Sequence, residues 1–445
     1  MSYPSEVHVD HPGGDNVSAF PTLTQRVWWE WLRPSVSVTS WENIGVQLAF
    51  QKISPDLVDT AFQTIALRQD ALRYTFVEGT PDLRIVIKNV SELPARHINW
   101  SRHALTPQFN RRVKRFIAAF IRRPFERNNS LLCRALIISL PRDIVLFAGS
   151  FHHLIFDGRS VEIFNDLMHR LLRQPDTEIP DHRGALSRYA QLEIDRLSEP
   201  GGQHLLVHWR NWFSDVPALN LPSGKTLVSG PGGAITYPFQ FSNSTTEKLK
   251  SIARTLKLPA FGVWLTLYSL TLGRWSGQNC FGLRVIGDLR GKARLENVMG
   301  MLACTDYVQI KMEGNQNLQE VTRSLFKEYL LSLQNRLPPL PEVYGLRKAH
   351  HKLGAVLNFA SDTGPISTSA DSADVLPSEN YSYKSDVFDI PFPSIYLRSW
   401  FQNGALRGQL DLNGDLISAQ DQRSLLASFS QALDDVLQMS RPAGD

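Results

Sequence analysis

Two adjacent histidines, His152 and His153, are followed after three residues by Asp157 and Gly158, in the run HHLIFDG. A histidine fixed at the end of a strand can serve as a general base near neutral pH, or it can orient a nucleophile by hydrogen bonding. An aspartate four residues on has two possible roles. It could orient the imidazole, as in a catalytic triad, or it could turn away and pin the loop by pairing with an arginine elsewhere. The glycine lets a substrate or another backbone approach closely. No Gly-x-Ser-x-Gly elbow occurs in the sequence, so a serine acyl-enzyme is not suggested. Direct attack of an amine or alcohol on an activated acyl group fits these residues better. Alternatively, the histidines are packing residues at a strand end.

The flanking sequence says what must position them. Upstream, LLCRALIISL and DIVLFAGSFHHL read as strands joined by the turn PRD. Downstream, Val161, Phe164, Leu167, Met168, Leu171 and Leu172 recur at helical spacing. His153 is therefore expected at the end of a buried strand, with Gly158 in the turn before a helix and Ser160 as that helix's N-cap. Alternation places His152 on the opposite side of the strand from His153, packed and hydrogen-bonded. SPDLVDTAFQTIALRQDAL is expected to be a helix capped by Ser54, with Pro55 at its first position. RRVKRFIAAFIRRPF reads as a basic amphipathic helix; its cationic run (Arg111, Arg112, Lys114, Arg115, Arg122, Arg123) is either a solvated face or a surface for an acidic partner.

The rest of the chain again alternates helices and strands. STTEKLKSIARTLKL opens with a capping box, Ser244 to Glu247. FGVWLTLYSLTLGRW is a strongly apolar helix, SIYLRSWFQ and ALRGQLDLN form a hairpin, and the last helix begins near residue 418. Residues 361–384 read as a long surface loop, and His350-His351, lacking a following Asp-Gly, as a loop or strand-edge pair. The polar connection 173–189 is the expected boundary. The expected organisation is α+β, with a loose tail over 1–20, an N-terminal lobe over 21–175 and a C-terminal lobe over 185–445.

Composition narrows the function classes. With 445 residues the chain is too long for one ordinary core. A net charge of +4 is too weak to argue for nucleic acid. Cys133, Cys280 and Cys304 are far apart and in no metal-ligand spacing, which suggests a reducing cytoplasm. The N-terminus has neither the basic start nor the apolar core of a signal peptide, and no apolar run approaches the roughly 20 residues of a membrane span.

HHLIFDG resembles the signature of nonribosomal peptide synthetase condensation domains, in the chloramphenicol acetyltransferase superfamily. Polyketide-associated acyltransferases and wax-ester synthases share that signature. Other segments resemble condensation-domain motifs in the same order. RQDALRYTF matches Arg-His-Glu-x-Leu-Arg-Thr-x-Phe through Arg68, Leu72, Arg73 and Phe76, with Gln69 and Asp70 as substitutions. QRVWW resembles the opening motif through Arg26 and Trp28, and RRPFERNNSLLCRALI the usual lead-in through Pro124, Phe125, Leu132 and Arg134. VHWRNWF resembles the helix that starts the second lobe. GDLRGKARLENVMGMLACT lies on the segment ending Gly-Phe-Phe-Val-Asn-Thr, with Arg290, Gly300 and Thr305 in place and Cys304 for Asn. The sequence departs at VIGDL, where Pro-x-x-Gly is usual, at QNRLPPL, where only Leu337 and Pro338 keep register, and at Arg159, where Trp or Val is common.

The resemblance implies two chloramphenicol acetyltransferase-like lobes forming a V-shaped pseudo-dimer with the active site between them. It implies that His153 contacts the attacking amine or hydroxyl, as base or as positioning group. Gly158 would leave room beside the substrate and offer its N–H to the thioester oxygen. His152 would be structural, and Asp157 would pair with Arg290. No tightly bound cofactor is implied. The donor would be an acyl thioester on a carrier protein's phosphopantetheine, or on coenzyme A; the basic helix is then either a solvated face or a surface that could meet the acidic carrier or its phosphate. The sequence contains neither an adenylation module nor a Gly-Gly-x-Ser carrier site, so a free-standing enzyme with its carrier in trans is expected. The alternative is an O-acyltransferase using coenzyme A or a lipid-like donor.

Overall fold

The structure, a computed structural model, describes residues 17–32, 43–78, 83–93, 95–228, 230–292, 295–312, 317–336, 352–360, 387–392 and 394–439. The chain forms two compact units. The described residues of unit 1 come from 1–198 and 288–303; those of unit 2 come from 199–287, 304–364 and 385–445.

Unit 1 contains β1 (Val17–Ala19), α1 (Leu23–Leu32), β2 (Asn43–Gln51), α2 (Pro55–Arg68), β3 (Tyr74–Val77), β4 (Arg84–Ile87), β5 (Arg96–Asn99), α3 (Pro107–Arg122), β6 (Cys133–Leu140), β7 (Ile144–His152), α4 (Gly158–Arg173) and α5 (Ala185–Ser198). Its main sheet has the order β2-β7-β6-β5, and a small sheet has the order β1-β4-β3. Every residue of β7 is buried, because helices cover both of its faces. On one face Phe147 and Phe151 pack with Phe62 of α2 and with Phe156 and Phe164 around α4, the Phe151 and Phe156 rings stacked. On the other, Leu146 and Ala148 pack with Phe109, Val113, Ile117 and Ile121 of α3. The four α3 residues are spaced by four and form one apolar stripe, with Phe116 and Phe120 partly buried beside it. Ser54 caps α2 by accepting from Leu57 N at 3.1 Å, with Pro55 following.

Unit 2 contains α6 (Pro200–Asp215), β8 (Gly230–Gln240), α7 (Asn243–Leu256), α8 (Ala260–Ser276), β9 (Cys280–Asp288), β10 (Ala303–Lys311), α9 (Leu318–Gln334), β11 (Ala355–Ala360), β12 (Val387–Phe392), β13 (Ile395–Gln402), β14 (Ala405–Asn413) and α10 (Ala419–Gln438). Seven strands form one mixed sheet in the order β10-β9-β11-β13-β14-β8-β12. The expected hairpin is present, with Ile395 opposite Leu412 and Gln402 opposite Ala405. The apolar α8 lies in the core against this sheet, and its Trp264 Nε1 donates to Ser399 Oγ at 2.8 Å.

The sequence reading differs from the structure at several points. Unit 1 runs through Ser198, not to about 175, and also takes in 288–303. The polar 174–184 connection is tied down rather than loose: His182 N donates to Arg68 O (3.0 Å), and Gly184 N donates to the buried Asp70 carboxylate (2.6 Å). The cap of α7 is Ser242, accepting from Thr245 N at 3.1 Å, not Ser244. Most of the expected tail, the His350-His351 pair, residues 361–384 and the Leu337-Pro338 register lie outside the described residues. Among the described residues no helix is long and apolar enough to cross a membrane.

Candidate active site

His153 follows the last residue of β7 and is half-buried, in the turn that ends at Asp157. The Trp28 indole lies against its imidazole, with ring centroids 4.7 Å apart. Gln25, one turn earlier on α1, donates from Nε2 to Leu154 O at 2.9 Å. Helix α1 therefore braces the histidine turn at two points. His153 Nδ1 is buried and has no hydrogen-bond partner of good geometry. Burial pushes the imidazole pKa below its usual value of about 6.5, opposed in part by the Asp157 charge.

His152 faces α3 and is 1 % exposed. Its main chain pairs with Asn43 of β2, and its N–H donates to Leu132 O at 2.9 Å. Nδ1 accepts from Leu154 N at 3.1 Å, and the ring meets Phe125 edge-on. This histidine shapes the turn from inside.

Asp157 is the N-cap of α4 and is 1 % exposed. Oδ1 accepts from Ser160 N (2.8 Å) and Arg290 Nη2 (2.9 Å); Oδ2 accepts from Arg290 Nη1 (2.9 Å) and Leu302 N (3.0 Å). Both oxygens are committed away from the imidazole, so the triad arrangement is not formed. Burial alone would raise the carboxyl pKa; the Arg290 guanidinium and the Ser160 N–H hold it below the usual range. Arg290 is 3 % exposed and bidentate to Asp157, and it also donates to Val298 O, Gly300 O and Asp288 Oδ1. The fork geometry of guanidinium suits this use, where lysine could not make both bonds.

Two expectations shift by a few residues. Gly158 is the first residue of α4 rather than part of a preceding turn. Ser160 is not the cap but the hub behind it: its hydroxyl lies 2.8 Å from Asp157 Oδ1 and accepts from Gly300 N (3.0 Å) and Arg290 Nη2 (3.1 Å). Gly300 needs to be glycine. Its φ is +154°, and a Cβ there would sit 2.6 Å from Leu186 Cδ1. Gly158 is different: a Cβ there would meet nothing within 4 Å.

Sequence reasoning missed Gln69, which it treated as a substitution. The amide clamps the Arg290 loop from two sides, Nε2 donating to Asn297 O (2.9 Å) and Oε1 accepting from Met299 N (3.0 Å). It also missed the Trp28–His153 contact. Asp70, the other substitution, pairs with Arg73, and Arg73 in turn donates to Ala66 O and Lys88 O. That pairing, with the bond to Gly184, gives the buried carboxylate its partners. No group of three His, Cys, Asp or Glu placed to hold a metal ion occurs among the described residues.

The family model for the condensation domain matches residues 37–440. Tyrocidine synthase 3 of Brevibacillus parabrevis is 27% identical over 61% of this chain, and surfactin synthase subunit 1 of Bacillus subtilis is 21% identical over 89% of it. The chain spans only 4% and 11% of the length of those two synthases. Among solved structures, the condensation domain that mediates chain release from the enacyloxin polyketide synthase superposes with a TM-score of 0.84. It is 25% identical, covering 100% of this chain and 86% of that one. The first condensation domain of the calcium-dependent antibiotic synthetase gives 0.72 at 14% identity, covering 97% and 98%, which shows the shared fold.

Proposed function

The chain belongs to the condensation-domain family, acyl- and peptidyl-transferring enzymes of nonribosomal peptide and polyketide assembly that form amide or ester bonds, and from that premise we propose that it transfers an acyl group from a carrier-bound phosphopantetheine thioester to an amine or alcohol, with His153 as the catalytic residue. The observation that carries this reading is the position of the imidazole, braced by α1 through Trp28 and the Gln25–Leu154 bond in the turn that leads into the N-terminus of α4.

The acceptor nitrogen or oxygen attacks the thioester carbonyl carbon while His153 takes its proton. The C–N or C–O bond forms and the tetrahedral intermediate carries charge on the former carbonyl oxygen. The N–H of Gly158, at the positive end of α4, is the group placed to stabilise that charge. Collapse breaks the C–S bond, and the imidazolium returns the proton to the leaving thiolate. His152, Asp157 and Arg290 touch no reacting atom in this scheme. They fix the turn and the helix start, so orientation supplies much of the effect.

Two predictions follow from local geometry. Because the native His153 pKa is depressed, the free base persists below pH 6.5. The acid limb of kcat/KM should therefore fall below the ordinary imidazole value of about 6.5. The same sign holds for stability. Between the native pKa and about 6.5 the unfolded chain binds more protons at this site, so stability is lost as pH falls through that window. A pH–rate profile with its acid limb at or above 6.5 would contradict the assignment. Second, Gly158→Ala should leave the melting temperature unchanged, since its Cβ meets no protein atom. It should cut kcat/KM about tenfold or more by entering the substrate's space, a loss of about 1.4 kcal/mol in transition-state binding. A fully active variant would remove Gly158 from the site.

The test of the reaction is to present one acyl group on a phosphopantetheinylated carrier protein and on coenzyme A, with pooled amines and alcohols, and to follow acyl loss by intact mass. Transfer from the carrier alone supports the reading. Transfer from coenzyme A alone replaces it with a coenzyme A-dependent O- or N-acyltransferase.

A further inference from the structure

Helix α3 carries a charge pattern that its own packing does not explain. Residues 93–125 contain eight Lys and Arg and no Asp or Glu, whereas the whole chain is nearly balanced at 47 basic to 43 acidic residues. The apolar stripe of α3 is buried on β6 and β7, which leaves Arg111, Arg112, Arg115, Arg122 and Arg123 exposed on its outer side. A merely solvated helix face usually interleaves acids, because opposite charges at i,i+4 stabilise it and like charges there destabilise it. Here Arg111 and Arg115 stand at i,i+4 with no intervening acid. The helix tolerates that repulsion where a partner could relieve it.

The face also lies close to the candidate site. Asn43 Nδ2 donates to Ile121 O and Arg123 O, both at 2.8 Å. Asn43 is the direct cross-strand partner of His152. Ser150 Oγ holds the same Ile121 carbonyl at 2.9 Å, and Arg134, stacked over Phe125, donates to Pro124 O. The carboxyl end of α3 is thus pinned one strand away from the histidine pair. From there the basic face extends about 18 Å back along the helix, from Arg123 to Arg111.

We infer that this face, Arg111, Arg112, Arg115, Arg122 and Arg123, is the docking surface for the acidic face of the carrier protein that delivers the acyl thioester. The inference rests on the reaction proposed above. Charge complementarity of this kind sets association rate and salt sensitivity more than chemistry.

The experiment compares the wild type with Arg111→Glu/Arg112→Glu/Arg115→Glu, and with the milder triple glutamine variant, which keeps the test valid should charge reversal impair folding. Two donors are used: the same acyl group on a phosphopantetheinylated carrier protein and on free pantetheine. The charge-reversed variant should lose about tenfold or more in kcat/KM with the carrier at low salt, and its salt dependence should flatten. Activity with acyl-pantetheine should be unchanged. Equal losses with both donors, or no loss with the carrier, would overturn the inference. So would variant-sensitive binding to phosphatidylserine vesicles with unaltered carrier kinetics, which would assign the face to an anionic membrane. Wild-type inactivity toward both donors would instead count against the proposed reaction.

Discussion

Replacing His153 with alanine is expected to reduce turnover by ~10²–10⁴-fold, the usual range for a lost general base, while leaving the melting temperature nearly unchanged. The structural reason for the second half is specific. The His153 ring is half-buried, its Nδ1 has no hydrogen-bond partner of good geometry, and it packs tilted against the Trp28 indole. Truncation therefore orphans no buried polar group. His152→Ala should show the opposite balance. It strips the acceptor from the buried Leu154 N–H, a cost of about 1–3 kcal/mol in stability, and it affects turnover only through the shape of the turn. The contrast between the two neighbours, read by steady-state kinetics and thermal melts side by side, separates chemistry from support. A His153→Ala enzyme that melts many degrees lower, or one that stays active, would refute the assigned role.

Arg290→Ala should be the most destabilising single change in unit 1, at about 3–5 kcal/mol, because it leaves the Asp157 carboxylate charged and buried without its counter-ion. It also orphans the carbonyl of Val298, which Arg290 now satisfies. The pH dependence carries the signature. In the wild type the Asp157 pKa is depressed, so the pair contributes stability above the unfolded value of about 3.9, and that stability is lost as pH falls through the lower native value. Without Arg290, burial acts unopposed and raises the pKa. The folded variant then binds more protons than the unfolded chain, and its deficit narrows as the solution is made mildly acidic. Urea melts at pH 8 and pH 5 read this directly. Adding Asp157→Asn to Arg290→Ala should recover part of the loss, since the amide removes the uncompensated buried charge. A deficit that is independent of pH would mean that Asp157 is not the group responsible. Because Asp157 caps α4 and Arg290 anchors the loop through Gly300, both single variants will look catalytic in an activity screen while acting through the fold.

Much of this arrangement was legible in the sequence because the signals were local. The continuous apolar run into His152, the helical spacing after Gly158 and the Ser54-Pro55 helix start each depend on a few neighbouring residues. Local signals fail by small margins where two residues compete for one role. Ser242 and Ser244 both suit a helix cap, and Asp157 displaces Ser160 because only the carboxylate can also take both Nη groups of Arg290. Long-range dependencies were not legible. Gln69 reaches backbone groups 228 and 230 positions away, and nothing around it announces that its amide must both donate and accept. The boundary at Ser198 was hidden for a similar reason. The 173–189 stretch has the composition of a linker, yet the buried Asp70 carboxylate and the Arg68 carbonyl tie it to unit 1.

The most direct test of the central claim is the intact mass of an acyl-loaded carrier protein, followed with the wild type and with His153→Ala while acceptor is added or withheld. The expected result is loss of the acyl mass only with wild-type enzyme and acceptor together, with the same mass appearing on the amine or alcohol. Acyl loss at the wild-type rate with His153→Ala, or acyl loss without acceptor and with an acyl adduct on the enzyme, would contradict it.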